Sequence, residues 1–205
     1  MRVVMVHGIM DTGSKFRHMQ PFLEARGHQC LAPSLAPNDG RDGLEPLAAQ
    51  LGRAIDAAWG ADATCALIGF SMGGLISRIY LQELGGHRRV DRFFAISVPM
   101  AGSAWSWLHG SAGVRQMRPG SALLRRLDAG VDCLEGLALY SYWTPLDAVI
   151  VPPTSSVWPP ARNRRIWAGC HPCMLWNREL LEDIAGHLAG DGDSAAGGGS
   201  VAPEA

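Results

Sequence analysis

The sequence predicts an α/β fold of about six mostly parallel strands, with helices on both faces. Three observations carry this. Short apolar runs alternate with stretches of helical periodicity along the chain. The first run, Val3 to Val6, is continuously apolar, as a strand covered on both faces should be. Glycine or proline closes the segments between, at Gly27, Pro33, Gly60 and Gly85-Gly86.

Val3 to Val6 is the first strand. Lys15 to Arg26 reads as a helix stopped by Gly27, and His28 to Ala32 as the second strand, ended by Pro33. Leu44, Leu47, Ala48, Leu51, Ile55 and Trp59 recur at helical spacing up to Gly60. Thr64 to Gly69 is the third strand. Met72, Leu75, Ile76, Ile79, Tyr80 and Leu84 form the next helical stripe. Arg92 to Val98, Gly136 to Tyr142 and Arg165 to Ala168 are the remaining strands, and Leu180, Leu181, Ile184 and Leu188 mark the last helix. The irregular stretch from Pro99 to Glu135 is expected to carry short helices above the sheet.

With 47% hydrophobic and 18% charged residues in 205, the chain reads as globular. Residues 1–189 are expected to form one domain, and 190–205, rich in Gly and Ala, a flexible tail. A net charge of −1 without a basic run speaks against a nucleic-acid or anionic-membrane partner. The longest stretch free of charge, Phe93 to Val114, contains Pro99, glycines and serines, so it reads as a strand and loop; no stable membrane insertion is expected. Too few apolar residues precede His7-Gly8 for an export signal, so a cytoplasmic address is expected, with the five cysteines as reduced, buried thiols.

The chemistry centres on Gly69-Phe70-Ser71-Met72-Gly73-Gly74, a G-x-S-x-G between a strand and a helix. A serine on that sharp turn projects its hydroxyl above the sheet, and the helix start offers the Met72 amide to a developing oxyanion. The bland alternative is an ordinary helix-capping serine. The glycine-flanked loop after the first strand should supply a second amide, from Ile9, with Met10 as runner-up. His7 is expected to brace that loop. Asp147 is the only charged residue between Glu135 and Arg162, and a carboxylate among apolar residues needs a partner. His171 follows the last strand. Ser71, Asp147 and His171 thus occur in the chain order nucleophile, acid, base.

The pieces His7-Gly8-Ile9, Gly69 to Gly74, Val98 to Ser103, Arg118 to Ser121, Asp147 and Gly169-Cys170-His171 resemble the α/β-hydrolase superfamily of serine hydrolases. Within it they are similar to the compact bacterial lipase and esterase branch and to inositol deacylases. Val98-Pro99-Met100 stands where the lipase branch often has Thr-Pro-His. The resemblance implies a minimal α/β-hydrolase fold, lacking the antiparallel strands that open larger members. It also implies a Ser71-His171-Asp147 triad, an Ile9 and Met72 oxyanion hole, and a small-molecule ester or lipid substrate. No cofactor is expected.

An apolar acyl pocket is expected from Met10, Trp105, Trp107 and Trp143. Thioesterase, amidase or perhydrolase chemistry would use the same triad, and a non-catalytic binding protein would keep only the scaffold. Cys170-His171-Pro172-Cys173 has the spacing of a redox motif, but no strands can be read after it, and a metal site would need further ligands. If those two thiols were instead joined by a reversible disulfide, the bridge would disturb the His171 loop.

Overall fold

The computed structural model describes residues 1–190. Six strands form one parallel sheet in the order β2-β1-β3-β4-β5-β6. They are β1 (Arg2–Val6), β2 (Gln29–Leu31), β3 (Cys65–Phe70), β4 (Val90–Ile96), β5 (Ala138–Trp143) and β6 (Arg162–Arg165). Every residue of β3 is buried, which explains its unbroken apolar character.

Alternate residues of each central strand feed two cores. Val4, Val6, Cys65 and Leu67 pack under α2 (Glu45–Trp59), α3 (Met72–Glu83) and α5 (Ala122–Ala129). Val3, Met5, Ala66 and Ile68 pack under α1 (Met19–Glu24) and α6 (Arg178–Ala189). Leu47, Leu51 and Ile55 line the buried stripe of α2, each worth roughly 1.5–3 kcal/mol on burial. The short α4 (Ala112–Gln116) lies with α5 inside the irregular stretch, where short helices are expected.

Two elements differ from expectation. The predicted Lys15–Arg26 helix splits into a 3₁₀ turn, Gly13–Phe16, and α1. Phe16, Met19 and Leu23 are all fully buried, so one apolar stripe spans the break. The sixth strand is Arg162–Arg165, not Arg165–Ala168. It is an exposed edge held by backbone pairing with β5, and its arginines guard that edge, so no apolar run marks it. Ile166 and Ala168 instead bury themselves in the loop that follows.

The expected tail falls outside the described residues, apart from Gly190, which closes α6 with φ 91°. Among the described residues no helix is long and apolar enough to cross a membrane.

Candidate active site

The sheet gathers the chemistry at the carboxyl ends of its strands, where open α/β sheets hold their ligands. Val6 of β1 pairs with Gly69 of β3, so the loop after β1 and the turn after β3 emerge side by side. The turn is tight. Ser71 has φ 54° and ψ −127°, a strained conformation for a residue with a side chain, costing about 1–3 kcal/mol. A Cβ on Gly69 would lie 2.5 Å from the Gly74 Cα, and one on Gly73 would overlap the Val6 carbonyl oxygen. Larger residues there would push the helix off the strand.

Ser71 does not cap α3 with its side chain. Ser103, Ser111 and Ser121, at other helix starts, each accept an amide hydrogen bond as a capping serine does. The Ser71 hydroxyl is held back from that role.

Two amides flank it. Met72 opens α3, where first-turn amides have no intrahelical acceptor. The Gly8 backbone packs on Ser71, so close that a Cβ there would be 3.2 Å from the Ser71 Cβ. The next amide, of Ile9, has no acceptor among the described residues, whereas Met10 N donates to Asn38 O at 2.8 Å. That bond occupies the Met10 amide, while the Ile9 amide stays unpaired among those residues.

His7 is fully buried with both ring nitrogens occupied. Its Nδ1 bonds Gly8 O at 2.9 Å, and its Nε2 accepts from Leu35 N at 2.9 Å. Burial holds its pKa below the ordinary 6.5, against smaller opposing effects of Gly8 and Asp11. The unfolded chain therefore takes a proton near pH 6.5 that the folded chain refuses. The stability tied to the neutral ring is whole above that pH and is lost as pH falls through the lowered folded value. Urea unfolding of wild type and His7→Gln from pH 8 down to 5 should show the wild type losing its lead on acidification; a constant difference counts against this role.

Asp147 follows β5 and His171 follows β6. Thr144 Oγ1 ties the two loops by donating to Ala168 O at 2.7 Å. His171 Nδ1 and Asp147 Oδ2 are 2.7 Å apart, both residues buried. Asp147 Oδ1 accepts from Val149 N at 2.9 Å and Ile150 N at 2.8 Å. Burial pushes the Asp147 pKa up, but the His171 bond and charge and the two amides together outweigh it, so the carboxyl titrates below its ordinary value. The His171 ring also packs on Phe70, centroids 4.7 Å apart.

Ser71 and His171 line one cavity of about 560 Å³, with Ile9, Met10, Phe70, Trp105, Val114, Val149 and Pro172 as its apolar walls. Trp107 and Trp143, expected there, do not line it. Trp107 turns outward under the Arg118 guanidinium, 4.4 Å from its ring, and Trp143 ends β5 half-buried. Sequence reasoning missed Val114 and Val149, and also Asp11, Lys15, Asp39 and His109, which give the cavity a polar side. Lys15, the sole lysine, pairs with Asp11 at 2.9 Å.

The expectation of five reduced thiols is overturned at one pair. Cys170 and Cys173 form a disulfide around His171; Cys30, Cys65 and Cys133 are free, but only Cys65 is buried, Cys30 being half-buried and Cys133 exposed. Among the described residues no group of three or more His, Cys, Asp or Glu is placed to hold a metal ion.

The parallel sheet, the strained serine turn and the loops gathered above them define the α/β class of hydrolases. A family model for the alpha/beta hydrolase fold matches residues 2–109, and the chain belongs to that family. The lysosomal thioesterase PPT2 of Mus musculus is 32% identical over 104 residues, 49% of this chain and 34% of the relative. The Homo sapiens protein of that name gives the same figures. The match thus spans about a third of the curated relatives' length.

Aspergillus fumigatus lipase B superposes with a TM-score of 0.78 at 17% identity, over 92% of this chain and 52% of that one. Mature Bacillus licheniformis lipase BlEst2 gives 0.72 at 17% identity, over 91% of each chain. At such identities the likeness is one of fold.

Proposed function

We propose that the protein is a serine hydrolase that cleaves carboxylic esters with apolar acyl groups. His171 Nε2 takes the Ser71 proton as Oγ attacks the ester carbonyl. Asp147 fixes the His171 tautomer and balances the imidazolium. The Ile9 and Met72 amides receive the oxyanion, each such donor being worth about 10²–10³ in rate. His171 then hands its proton to the departing alkoxide, leaving an acyl group on Ser71. Water, deprotonated by His171, releases it. The reaction as written uses only side chains, amides and water.

One observation carries this reading: a buried imidazole bonded at 2.7 Å to a buried carboxylate lines the same cavity as an uncapped, strained serine. The apolar walls argue for an apolar acyl group.

A second reading is a thioester substrate, favoured by the match to a protein named a thioesterase. Paired oxygen and thioesters of equal acyl length decide between them. The ester reading expects turnover of both, with kcat/KM rising with acyl length. A fluorophosphonate should label Ser71 in wild type, and Trp105→Ala should shift the preferred length. No turnover of any ester or thioester, with Ser71 unlabelled, leaves a scaffold without this activity.

A cytoplasmic address is the expectation from the sequence, and two observations stand against it. The matched relatives are named lysosomal, and disulfides persist mainly in oxidising compartments. Fractionating the native cells with thiol trapping decides: recovery from an oxidising compartment removes the cytoplasmic address.

A further inference from the structure

The segment that carries His171 is packed, with the ring on Phe70 and Cys173 against the core, but it has few polar anchors. Beyond Ala168, the chain runs through exposed Gly169 to Cys170. Cys173 N donates to Cys170 O at 3.0 Å, and Met174 N to His171 O at 3.4 Å, both within one turn. Among the described residues, the one side-chain hydrogen bond that ties 169–173 to a distant part of the chain is the His171–Asp147 bond itself. The disulfide closes the same turn, holding the Cys170 and Cys173 Cα atoms 5.0 Å apart with His171 and Pro172 between them.

We infer that the Cys170–Cys173 disulfide positions His171 against Asp147, and that a dithiol reductant turns the site down by opening it. This deepens the hydrolase reading and rests on it. In the bridged form imidazole and carboxylate meet at 2.7 Å, so the bridge as closed does not disturb the His171 loop.

Both cysteines are half-buried, so a small reductant has access. One thiolate of the reductant attacks a bridge sulfur, giving a mixed disulfide and freeing the other cysteine. The reductant's second thiol then displaces the first cysteine. Cys170 and Cys173 together gain two electrons and two protons, and the reductant leaves as a cyclic disulfide. The opened turn keeps its local backbone bonds but loses its covalent closure. Misplacing a reacting group by about 1 Å can cost about 10² in rate.

The test compares oxidised, dithiothreitol-reduced and reoxidised full-length protein, with Cys170→Ser/Cys173→Ser as a permanently open form. The readouts are kcat, KM and the ring nitrogen NMR signals of His171. The open forms should lose kcat about tenfold or more, with KM nearly unchanged, and the ring signals should shift or broaden. Reoxidation should restore both in wild type. Identical kcat and identical ring signals in the oxidised and reduced protein overturn the inference, and in an active enzyme so does a change in only one.

The two readings fail separately. If the oxidised protein turns over nothing while the ring signals still answer to reduction, the hydrolase reading falls and the positioning stands. Brisk turnover indifferent to reduction does the reverse. Should the double variant not fold, reduced wild type carries the comparison.

Discussion

Replacing Ser71 by alanine should lower kcat for ester hydrolysis by about 10⁶, because removing the nucleophile of a triad that acts as a unit costs about as much as removing the whole triad. The structure makes the variant a clean probe. The Ser71 side chain caps nothing, so its loss strips no hydrogen bond from the start of α3. Alanine inherits the same strained φ of 54°, so thermal unfolding should stay close to wild type. The Ile9 and Met72 amides remain, and a residual rate above water is expected from them. Folded S71A with undiminished p-nitrophenyl ester turnover ends the proposal.

The parts of this site that can be read from sequence are those whose constraints are local. A turn that must pass helix over strand requires small residues at fixed offsets, and Gly69, Gly73 and Gly74 sit at those offsets. Asp147 stands out because a charge within a long apolar stretch needs a partner close by. The choice between Ile9 and Met10 is different. It depends on Asn38, whose carbonyl takes the Met10 amide from 28 residues away in sequence. The cavity walls depend on rotation as well as position. Trp105 and Trp107 share the 3₁₀ turn Ala104–Leu108, and at three residues per turn two such neighbours face apart. One lines the cavity and the other meets Arg118. The sixth strand hides for a related reason: an edge held by backbone pairing and charge shows no apolar run. Nor does a C-x-x-C spacing say whether its thiols are joined, since that depends on the chain path between them and on the redox surroundings.

Asp147→Asn should lower kcat by about 10⁴ while leaving the fold in place, through the tautomer of a ring it does not itself alter. Asp147 Oδ1 accepts two amide hydrogens, from Val149 and Ile150, and Oδ2 faces His171 Nδ1. An asparagine here has one orientation that keeps the two amides satisfied: its oxygen takes the Oδ1 place and its NH₂ turns to His171. The reverse orientation sets donors against donors and leaves two amides unpaired, at about 1–3 kcal/mol for the buried Ile150 amide and less for the half-buried Val149. With the NH₂ facing it, His171 Nδ1 must accept, so the ring's proton moves to Nε2. That nitrogen then cannot take the Ser71 proton. Asp147→Ala separates geometry from charge, because it strands the same two amides and should cost stability as well as rate. If D147N keeps its melting temperature and retains kcat within about tenfold of wild type, far short of the loss expected of a tautomer-fixing carboxylate, then the buried pair is a brace between two loops and not part of a proton path.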